Sequence, residues 1–342
     1  MSGSGSTLVL GIESSCDETA AAVVDSGREI LSSVVHSQID EHSEYGGVVP
    51  ELAGRSHLSK IMPVIDRSLA EAGVSLDDLG AIAVTERPGL VGSLLVGISA
   101  AKSLAWSRGL PLIGVHHIEA HAYAATMESE GLEFPLLALI VSGGHTALYR
   151  CESFHELTRI ASTLDDAAGE AFDKVAWLLG LDYPGGPSIS KLAATGDPKA
   201  FRFPRYRPKD GSIGFSFSGL KTAVLYHLRG QDALAPTPEP ENIERPADVA
   251  ASFERAVVDA LVTQTLAAAK REGLSTVVIG GGVACNRSLR EQLRMKAEAE
   301  NIRVACPSPA YCTDNAAMIA GLGYQLWRAG KVADLELDAS PR

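Results

Sequence analysis

The sequence predicts an α/β protein made of two similar domains, each with a mixed sheet flanked by helices. Apolar runs and helical periodicity give the order β-turn-β-β-α-β-α-β-α twice along the chain, the second time with a long insertion. The length of 342 residues, 46% of them hydrophobic, suffices for two cores. Three neighbouring strands followed by βα units imply mixed strand pairing, and such a duplication places its ligand cleft between the halves.

The predicted elements follow the apolar pattern in order. Short apolar runs predict strands at residues 7–12, 19–24, 29–35, 81–85, 111–115, 136–141, 147–151, 156–161, 276–279 and 302–306. Longer runs of helical period predict helices at residues 50–72, 90–106, 168–179, 247–270, 286–299 and 314–328, with a further helix around His117–His121.

The repeat also sets the expected domain boundaries. Residues 7–130 are predicted to form the N-terminal domain, and residues 131–328 the C-terminal domain with an insertion at about 180–246. Residues 1–6 predict a disordered leader, because they lack the basic and apolar regions of a signal peptide. Residues 231–246, rich in Pro, Glu and Ala, predict a surface loop, and residues 329–342 a C-terminal tail.

Composition narrows the functional classes. The net charge of −12 argues against nucleic-acid binding by the chain as a whole, although a local basic patch can override it. The five cysteines are scattered and form no Cys-x-x-Cys, which argues against a disulfide framework or a thiolate zinc site. No apolar run is long enough for a membrane span, so the predicted location is the cytoplasm.

A histidine pair is the strongest candidate for chemistry. In His116-His117-Ile118-Glu119-Ala120-His121, helical spacing places His117 and His121 on one face, one turn apart. Two imidazoles so placed are half of a metal site, although an isolated pair more often consists of buried histidines that only pack. Asp314, at the start of the last predicted helix, either caps that helix or completes the ligand set from the opposite half.

A zinc protease is the obvious alternative for a histidine pair. In the protease motif His-Glu-x-x-His, the glutamate follows the first histidine and can serve the metal-bound water. Glu119 stands two residues after His117, about 200° round the helix, and is predicted to face away from the pair. The spacing therefore argues against a protease.

Glycine-rich turns mark two candidate ligand loops. In Val141-Ser-Gly-Gly-His-Thr146 the glycines allow backbone N–H groups to approach a phosphate or carboxylate, unless the tight turn alone requires glycine. Ile279-Gly-Gly-Gly-Val-Ala-Cys-Asn286 leads from a strand into a helix and admits a nucleotide, although an ordinary βα turn has the same form. Asp173, well inside an acidic helix, is a candidate for contact with a ribose hydroxyl.

A basic stretch lies in the insertion. Residues 201–209 read Phe-Arg-Phe-Pro-Arg-Tyr-Arg-Pro-Lys and interleave aromatic side chains with cations. This pattern indicates a nucleic-acid contact through phosphate neutralisation and base stacking, and the alternative is a solvated basic loop. The candidate contact residues are Arg202, Arg205, Arg207 and Lys209.

Taken together and in order, these segments resemble the TsaD family of bacterial tRNA N6-adenosine threonylcarbamoyltransferases, formerly called glycoproteases. The resemblance covers nearly the whole chain and departs at Arg87, where relatives usually have Gly, and at Ser190, where some relatives have Asp. The motifs that carry it are Gly11-Ile-Glu-Ser-Ser-Cys-Asp-Glu-Thr19, His117-Ile-Glu-Ala-His121, Val141-Ser-Gly-Gly-His-Thr146, Glu170-Ala-Phe-Asp-Lys174, Tyr183-Pro-Gly-Gly-Pro187, Phe215-Ser-Phe-Ser-Gly-Leu-Lys221, Gly280-Gly-Gly-Val-Ala-Cys-Asn286 and Thr313-Asp314-Asn315.

The resemblance implies a fold and a ligand set. The fold would be that of actin and the sugar kinases (the ASKHA superfamily), with two ribonuclease-H-like domains. One divalent metal per subunit, Fe(2+) first and zinc as the alternative, would be held by His117, His121 and Asp314. The pocket for L-threonylcarbamoyl-AMP would be formed by Ile140, Val141, Ser142, Gly143, Gly144, Asp173, Gly186 and Asn286.

The resemblance also implies a reaction and partners. The threonylcarbamoyl group would pass from L-threonylcarbamoyl-AMP to the N6 amine of adenosine 37 in tRNAs that read codons beginning with A. The transfer would be metal-assisted, at the interdomain cleft, with no protein nucleophile. The implied partners are tRNA, a metal-site-lacking paralogue (TsaB-like) and a small ATPase (TsaE-like), with no membrane. Two alternatives stay open: a phosphotransferase of the same architecture, and a nucleotide-binding scaffold subunit.

Overall fold

A computed structural model describes residues 6–208, 210–230 and 238–341. Its strands are β1 (Leu8–Glu13), β2 (Glu18–Asp25), β3 (Glu29–Ser37), β4 (Leu79–Arg87), β5 (Leu112–His116), β6 (Leu136–Val141), β7 (Thr146–Ser153), β8 (Glu156–Ser162), β9 (Thr276–Gly280) and β10 (Arg303–Ala305). Its α-helices are α1 (Ile39–Ser43), α2 (Pro50–Ala72), α3 (Val91–Arg108), α4 (His117–Met127), α5 (Ala168–Leu178), α6 (Gly185–Ala193), α7 (Ser218–Arg229), α8 (Pro246–Glu272), α9 (Arg287–Glu298) and α10 (Ala316–Arg328).

Most predicted elements are present, and three short helices were not predicted. The additional helices are α1, α6 and α7. Helix α6 begins with Gly-Gly-Pro, and because these residues favour turns, no helix was predicted there. Of the predicted leader, residues 1–6, residues 1–5 lie outside the described residues, as does the 231–237 part of the predicted loop. Ser6 is described, and its Oγ donates to Asp25 Oδ2 at 2.6 Å.

The described residues divide into two compact units, each built on one five-stranded sheet. Unit 1 comprises the described residues of Met1–Leu132, Ser153–Glu156 and Pro307–Arg342, and unit 2 comprises those of Glu133–Glu152 and Leu157–Cys306. The sheet of unit 1 has the order β3-β2-β1-β4-β5, and that of unit 2 has the order β8-β7-β6-β9-β10. The same strand order in both units confirms the duplicated α/β architecture predicted from the sequence.

Strand direction is also duplicated. In unit 1, β1 pairs antiparallel with β2 and parallel with β4. In unit 2, β6 pairs antiparallel with β7 and parallel with β9. Each sheet is therefore mixed, as three hairpin-connected strands followed by crossover units require.

Both faces of the unit 1 sheet are covered by helices. Side chains alternate along a strand, so Val9 faces a cluster with α4 and α10, whereas Leu10 and Ile12 face a cluster with α2 and α3. This double burial explains why β2 is apolar along its length, without the alternation of a half-exposed strand. The same alternation directs the end of β1, at Glu13, toward the face that carries α4 and α10.

Helix α10 changes the predicted division of the chain. Residues 131–328 were expected to form the second domain, but Pro307–Arg342 belongs to unit 1. The backbone of α10 lies directly on β1, because a Cβ added at Gly11 would come within 3.0 Å of backbone atoms of Ala316 and Ala320. Asp314 therefore stands in the same unit as the histidine pair, and not on the opposite half as expected. A helical repeat alone does not say which sheet the helix covers.

The contact at Gly11 predicts a large stability effect from a small substitution. We expect Gly11→Ala to lower the free energy of unfolding by about 1–3 kcal/mol, because backbone must move to admit the methyl group. Gly92→Ala, in α3, is the matched control, since its added Cβ meets nothing within 4 Å. Urea denaturation checks both, and equal effects of the two substitutions would contradict this packing.

Candidate functional site

The histidine pair lies at the start of α4, directly after β5. The helix begins at His117, and the His116 side chain accepts a hydrogen bond from Ile118 N at 3.2 Å. His117 and His121 are both buried, and their Nε2 atoms lie 3.1 Å apart. The i, i+4 spacing therefore brings two imidazole nitrogens to one point, as predicted.

Asp314 completes a triangle of donor atoms. Its Oδ1 lies 3.1 Å from His121 Nε2 and 3.5 Å from His117 Nε2. Two ligands of a divalent ion with bonds of about 2.1 Å are roughly 3.0–3.4 Å apart, so the three atoms match a shared ion. Their donor atoms all lie within 4.8 Å of one another, so the three residues could hold one metal ion. The alternative role as a helix cap falls to Asn315, whose Oδ1 accepts from Met318 N at 3.0 Å.

Glu13 is the functional residue that sequence reasoning missed. Its buried carboxylate lies 2.9 Å from His117 Nδ1 and accepts a hydrogen bond from Thr85 Oγ1 at 2.7 Å. Because a carboxylate only accepts, Nδ1 of His117 donates the proton to Glu13. Nε2 of His117 can then bind a metal once it has released its own proton. An acid at the buried end of an apolar strand, on the face of Val9 and Gly11, was the available signal.

Charge pairing sets the protonation of this group. Burial would raise the pKa of Asp314, but the adjacent His117 imidazole outweighs burial and holds that pKa well below its usual range. Burial would likewise lower the pKa of His117, yet Asp314 and Glu13 raise it well above its usual value. The pKa of His121 is lowered by burial and by the neighbouring His117. Two anionic carboxylates thus face the imidazoles, and a cation is favoured at the triangle.

Glu119 does not join this group. Burial raises the pKa of Glu119, and the charges that act on it come from Arg87, Lys331 and Glu86. The Glu119 carboxyl therefore points away from the His117 and His121 nitrogens, as the predicted angle round the helix requires. The geometry of a zinc protease is therefore lacking among the described residues.

The first ligand loop of unit 2 is the turn between β6 and β7. Ile140 and Val141 are fully buried, so their side chains belong to the core and only their backbone can meet a ligand. A Cβ added at Gly143 or Gly144 meets nothing within 4 Å, and neither residue has the positive φ that demands glycine. Neither packing nor backbone strain therefore requires glycine at these two positions.

Neighbouring glycines of unit 2 serve the fold instead. A Cβ added at Gly169 would come within 3.0 Å of Ser142 O and Gly143, because the start of α5 packs on the turn. Gly281 has φ 91° and lies against Val141. In the glycine turn after β9, Gly281 therefore has a structural reason.

The remaining predicted pocket residues lie at helix beginnings or hydrogen-bond to one. Asp173 Oδ1 accepts a hydrogen bond from Gly185 N at 2.7 Å and fixes the start of α6. Next to it, Gly186 again has open space where a Cβ would stand. Asn286 caps α9 through Leu289 N at 2.8 Å, and its Nδ2 donates to Glu254 Oε1 and to Ser190 Oγ.

In the described part of the chain, only some of the cations predicted to contact nucleic acid are exposed and unpaired with an acidic residue. Arg202 and Arg207 are exposed, whereas Arg205 pairs with Asp259 Oδ2 at 2.6 Å. Lys209 lies outside the described residues. Phe201 packs on the His227 ring at 4.2 Å between centroids, and Phe203 is buried, so both phenyl rings contribute to packing within unit 2.

Comparison with known proteins gives one consistent family. The sequence profile of TsaD, tRNA N6-adenosine threonylcarbamoyltransferase, matches residues 29–321. A relative of that name from Symbiobacterium thermophilum is 53% identical over 341 residues, covering 100% of this chain and 98% of the relative. A second, from Geobacter sulfurreducens, is 54% identical over 332 residues, covering 97% of this chain and 95% of the relative.

Solved structures support the fold at much lower identity. HypF from T. kodakarensis matches with a TM-score of 0.61 at 16% identity, covering 97% of this chain and 49% of that chain. Component A of the Acidaminococcus fermentans (R)-2-hydroxyglutaryl-CoA dehydratase matches with a TM-score of 0.55 at 15% identity, covering 95% of this chain and all of the other. Within the described residues, no helix is long and apolar enough to cross a membrane.

Proposed function

We propose an acyl transfer to tRNA for this chain, which belongs to the tRNA N6-adenosine threonylcarbamoyltransferase family. The N6 amine of the adenosine beside the anticodon attacks the carbamoyl carbon of L-threonylcarbamoyl-AMP. A C–N bond forms, the C–O bond to the phosphate breaks, AMP leaves, and the amine loses a proton. The observation that carries the proposal is identity above 50% along the whole chain with relatives of that name.

The donor set of unit 1 supports a resident divalent metal. His117, His121 and Asp314 would hold it, because their donor atoms converge within 4.8 Å of one another. Two imidazoles and one carboxylate fit iron(II), and zinc is the alternative. When bound, such a cation supplies Lewis-acid stabilisation of negative charge.

Glu13 orients one of the proposed metal ligands, His117. Its carboxylate accepts the Nδ1 proton of His117 and so keeps Nε2 available as a ligand atom. Thr85 holds that carboxylate through a second hydrogen bond. The donor triangle is therefore held in place before any ligand enters, which reduces the cost of metal binding.

No side-chain nucleophile is required, and the nearby thiol does not suit that role. Burial raises the pKa of Cys16, and the adjacent Asp17 carboxylate raises it further. The thiol is thus protonated at neutral pH, and a protonated thiol is a poor nucleophile. Direct attack by the tRNA amine on the activated carbonyl is the step that these residues allow.

The open glycines of unit 2 support an adenylate site. Gly143, Gly144 and Gly186 leave space for a ligand, and the backbone N–H groups of Ser142–Gly144 suit the phosphate or the threonyl carboxylate. Asp173 and Asn286, both fixed by hydrogen bonds to the backbone, would line the nucleoside site, Asn286 by packing because its amide hydrogens go to Glu254 and Ser190.

The surface charge supports a need for partners. The net charge of −12 opposes tRNA binding by this chain alone, and Arg202 and Arg207 are the exposed cations of the predicted contact. A paralogue without the metal site and a small ATPase would complete the set, and the reaction belongs in the cytoplasm, where tRNA is found.

The test is transfer of labelled threonylcarbamoyl to tRNA by the reconstituted set, followed by nucleoside analysis. We expect label at the N6-modified adenosine only when this chain is present. Label transfer that persists when this chain is omitted would overturn the proposal, as would an isolated chain whose sole activity is phosphorylation of a small molecule by ATP.

The glycine turn predicts a selective binding defect. We expect Gly143→Val to leave the melting temperature within about 2 °C of wild type, because a Cβ added there meets nothing within 4 Å. AMP affinity should fall about tenfold, since the side chain fills the approach to the backbone. Gly169→Val is the matched contrast, because its added Cβ meets the Ser142 backbone and should destabilise the fold. Unchanged AMP affinity in Gly143→Val, by calorimetry, would contradict this.

A further inference from the structure

Three side chains in unit 2 form a closed hydrogen-bonded group. Glu254 Oε1 accepts from Ser190 Oγ at 2.6 Å and from Asn286 Nδ2 at 2.7 Å, and Asn286 Nδ2 also donates to Ser190 Oγ at 3.1 Å. Ser190 belongs to α6, Glu254 to α8, and Asn286 caps α9. The group therefore joins three helices at one point.

The side-chain nitrogen and oxygen of Asn286 already make hydrogen bonds within the protein. Both Nδ2 hydrogens are directed to Glu254 and Ser190, and Oδ1 accepts from Leu289 N. Glu254 is different, since its hydrogen bonds within the described residues all fall on Oε1. Glu254 is half-buried, and Oε2 keeps its lone pairs for an incoming donor.

The group stands beside the open part of α6. Ser190 follows Gly186 by four residues, so the two lie on one helix face, one turn apart. An added Cβ at Gly186 meets nothing within 4 Å. The Glu254 carboxylate thus borders the space in which the nucleoside would lie.

We propose that Glu254 determines specificity by accepting a hydrogen bond from a ribose hydroxyl of the adenylate, an inference that rests on the function proposed above. A carboxylate repels phosphate, so the anionic end of the ligand belongs at the Ser142–Gly144 turn and the hydroxyl end at Glu254. Vicinal hydroxyls are the donors that acidic residues read in other nucleotide sites. The N6 amine of the adenylate is the competing donor.

Calorimetric binding of AMP, 2′-deoxy-AMP, 3′-deoxy-AMP and IMP to the full chain and to Glu254→Gln tests this. The glutamine oxygen can keep both internal hydrogen bonds while its amide replaces Oε2, so the fold and the Asn286 orientation are spared. Glu291→Gln is the matched control, because Glu291 forms an exposed pair with Arg287 and its loss also removes one negative charge from unit 2.

We expect loss of one ribose hydroxyl to weaken binding to the wild-type chain about tenfold or more, and to weaken binding to Glu254→Gln far less. Equal losses for AMP and both deoxy nucleotides in Glu254→Gln would overturn the inference, because Glu254 would then only position its neighbours. If Glu254→Gln reduces only the discrimination between AMP and IMP, the hydrogen-bond donor is the N6 amine and not a ribose hydroxyl. Absence of deoxy selectivity in a wild-type chain that still transfers threonylcarbamoyl would sink this inference alone. A wild-type chain that binds no AMP would also remove the proposed adenylate site.

Discussion

Asp314→Ala should lose bound metal and threonylcarbamoyl transfer together. Asp314 supplies the only anionic atom of the donor triangle, 3.1 Å and 3.5 Å from the two imidazole nitrogens. Removal of residues that merely orient metal ligands costs about 10–100-fold, so loss of a ligand should reduce transfer at least about 100-fold. Metal content by mass spectrometry after dialysis, and nucleoside analysis of the tRNA, measure the two losses.

The fold should survive this substitution. Asn315 caps α10 independently of Asp314, and the buried residues of α10 stay on the sheet of unit 1. The far-UV circular dichroism of Asp314→Ala should therefore match wild type. Glu119→Gln is the control on the ligand-bearing helix, because Glu119 faces Arg87 and Lys331, and it should retain metal and transfer. Full transfer by metal-free Asp314→Ala would rule out a role for the metal.

The prediction for Asp314, compared with its place in the structure, shows what the sequence can and cannot predict. The i, i+4 rule placed His117 and His121 correctly because both stand on one helix, where local geometry decides. For Asp314, 193 residues away from His121, the residues alone left two roles open, helix cap or third ligand, and the resemblance favoured the ligand. Its assignment to the opposite half failed. Which sheet α10 covers depends on a small-residue contact at Gly11, and such packing has no periodic signal.

The basic stretch in the insertion shows the same limit of sequence-based prediction for charged side chains. Four cations between aromatic rings suggested one nucleic-acid contact, yet Arg205 pairs with Asp259, which lies 54 residues further along the chain. Local composition identified cations correctly but not their partners. The mixed strand pairing, by contrast, followed from the duplicated apolar pattern, because neighbouring strands pair antiparallel and crossover units pair parallel.

Glu13→Gln should weaken metal binding about tenfold, and Glu13→Ala nearer 100-fold. The carboxylate both orients His117 and raises its basicity, and glutamine keeps an acceptor for Nδ1 while removing the charge. Alanine also leaves Thr85 Oγ1 without its buried acceptor, which costs about 1–3 kcal/mol. His117 Nδ1 would keep only the longer contact with Ser15 Oγ, at 3.3 Å. Competition with a fluorescent chelator gives the metal affinity, and urea denaturation of the metal-free chain gives the stability.

These two measurements separate orientation of the ligand from stability of the fold. If Glu13 only supported the fold, Glu13→Gln would lower the unfolding free energy and leave the metal affinity of the folded chain unchanged. Thr85→Val is the matched intermediate, because it removes a hydrogen-bond donor from the same carboxylate and preserves its charge. We expect Thr85→Val to weaken metal binding less than Glu13→Gln does, since the charge beside His117 Nδ1 sets the basicity of Nε2. The reverse order would assign the effect to packing at the end of β1.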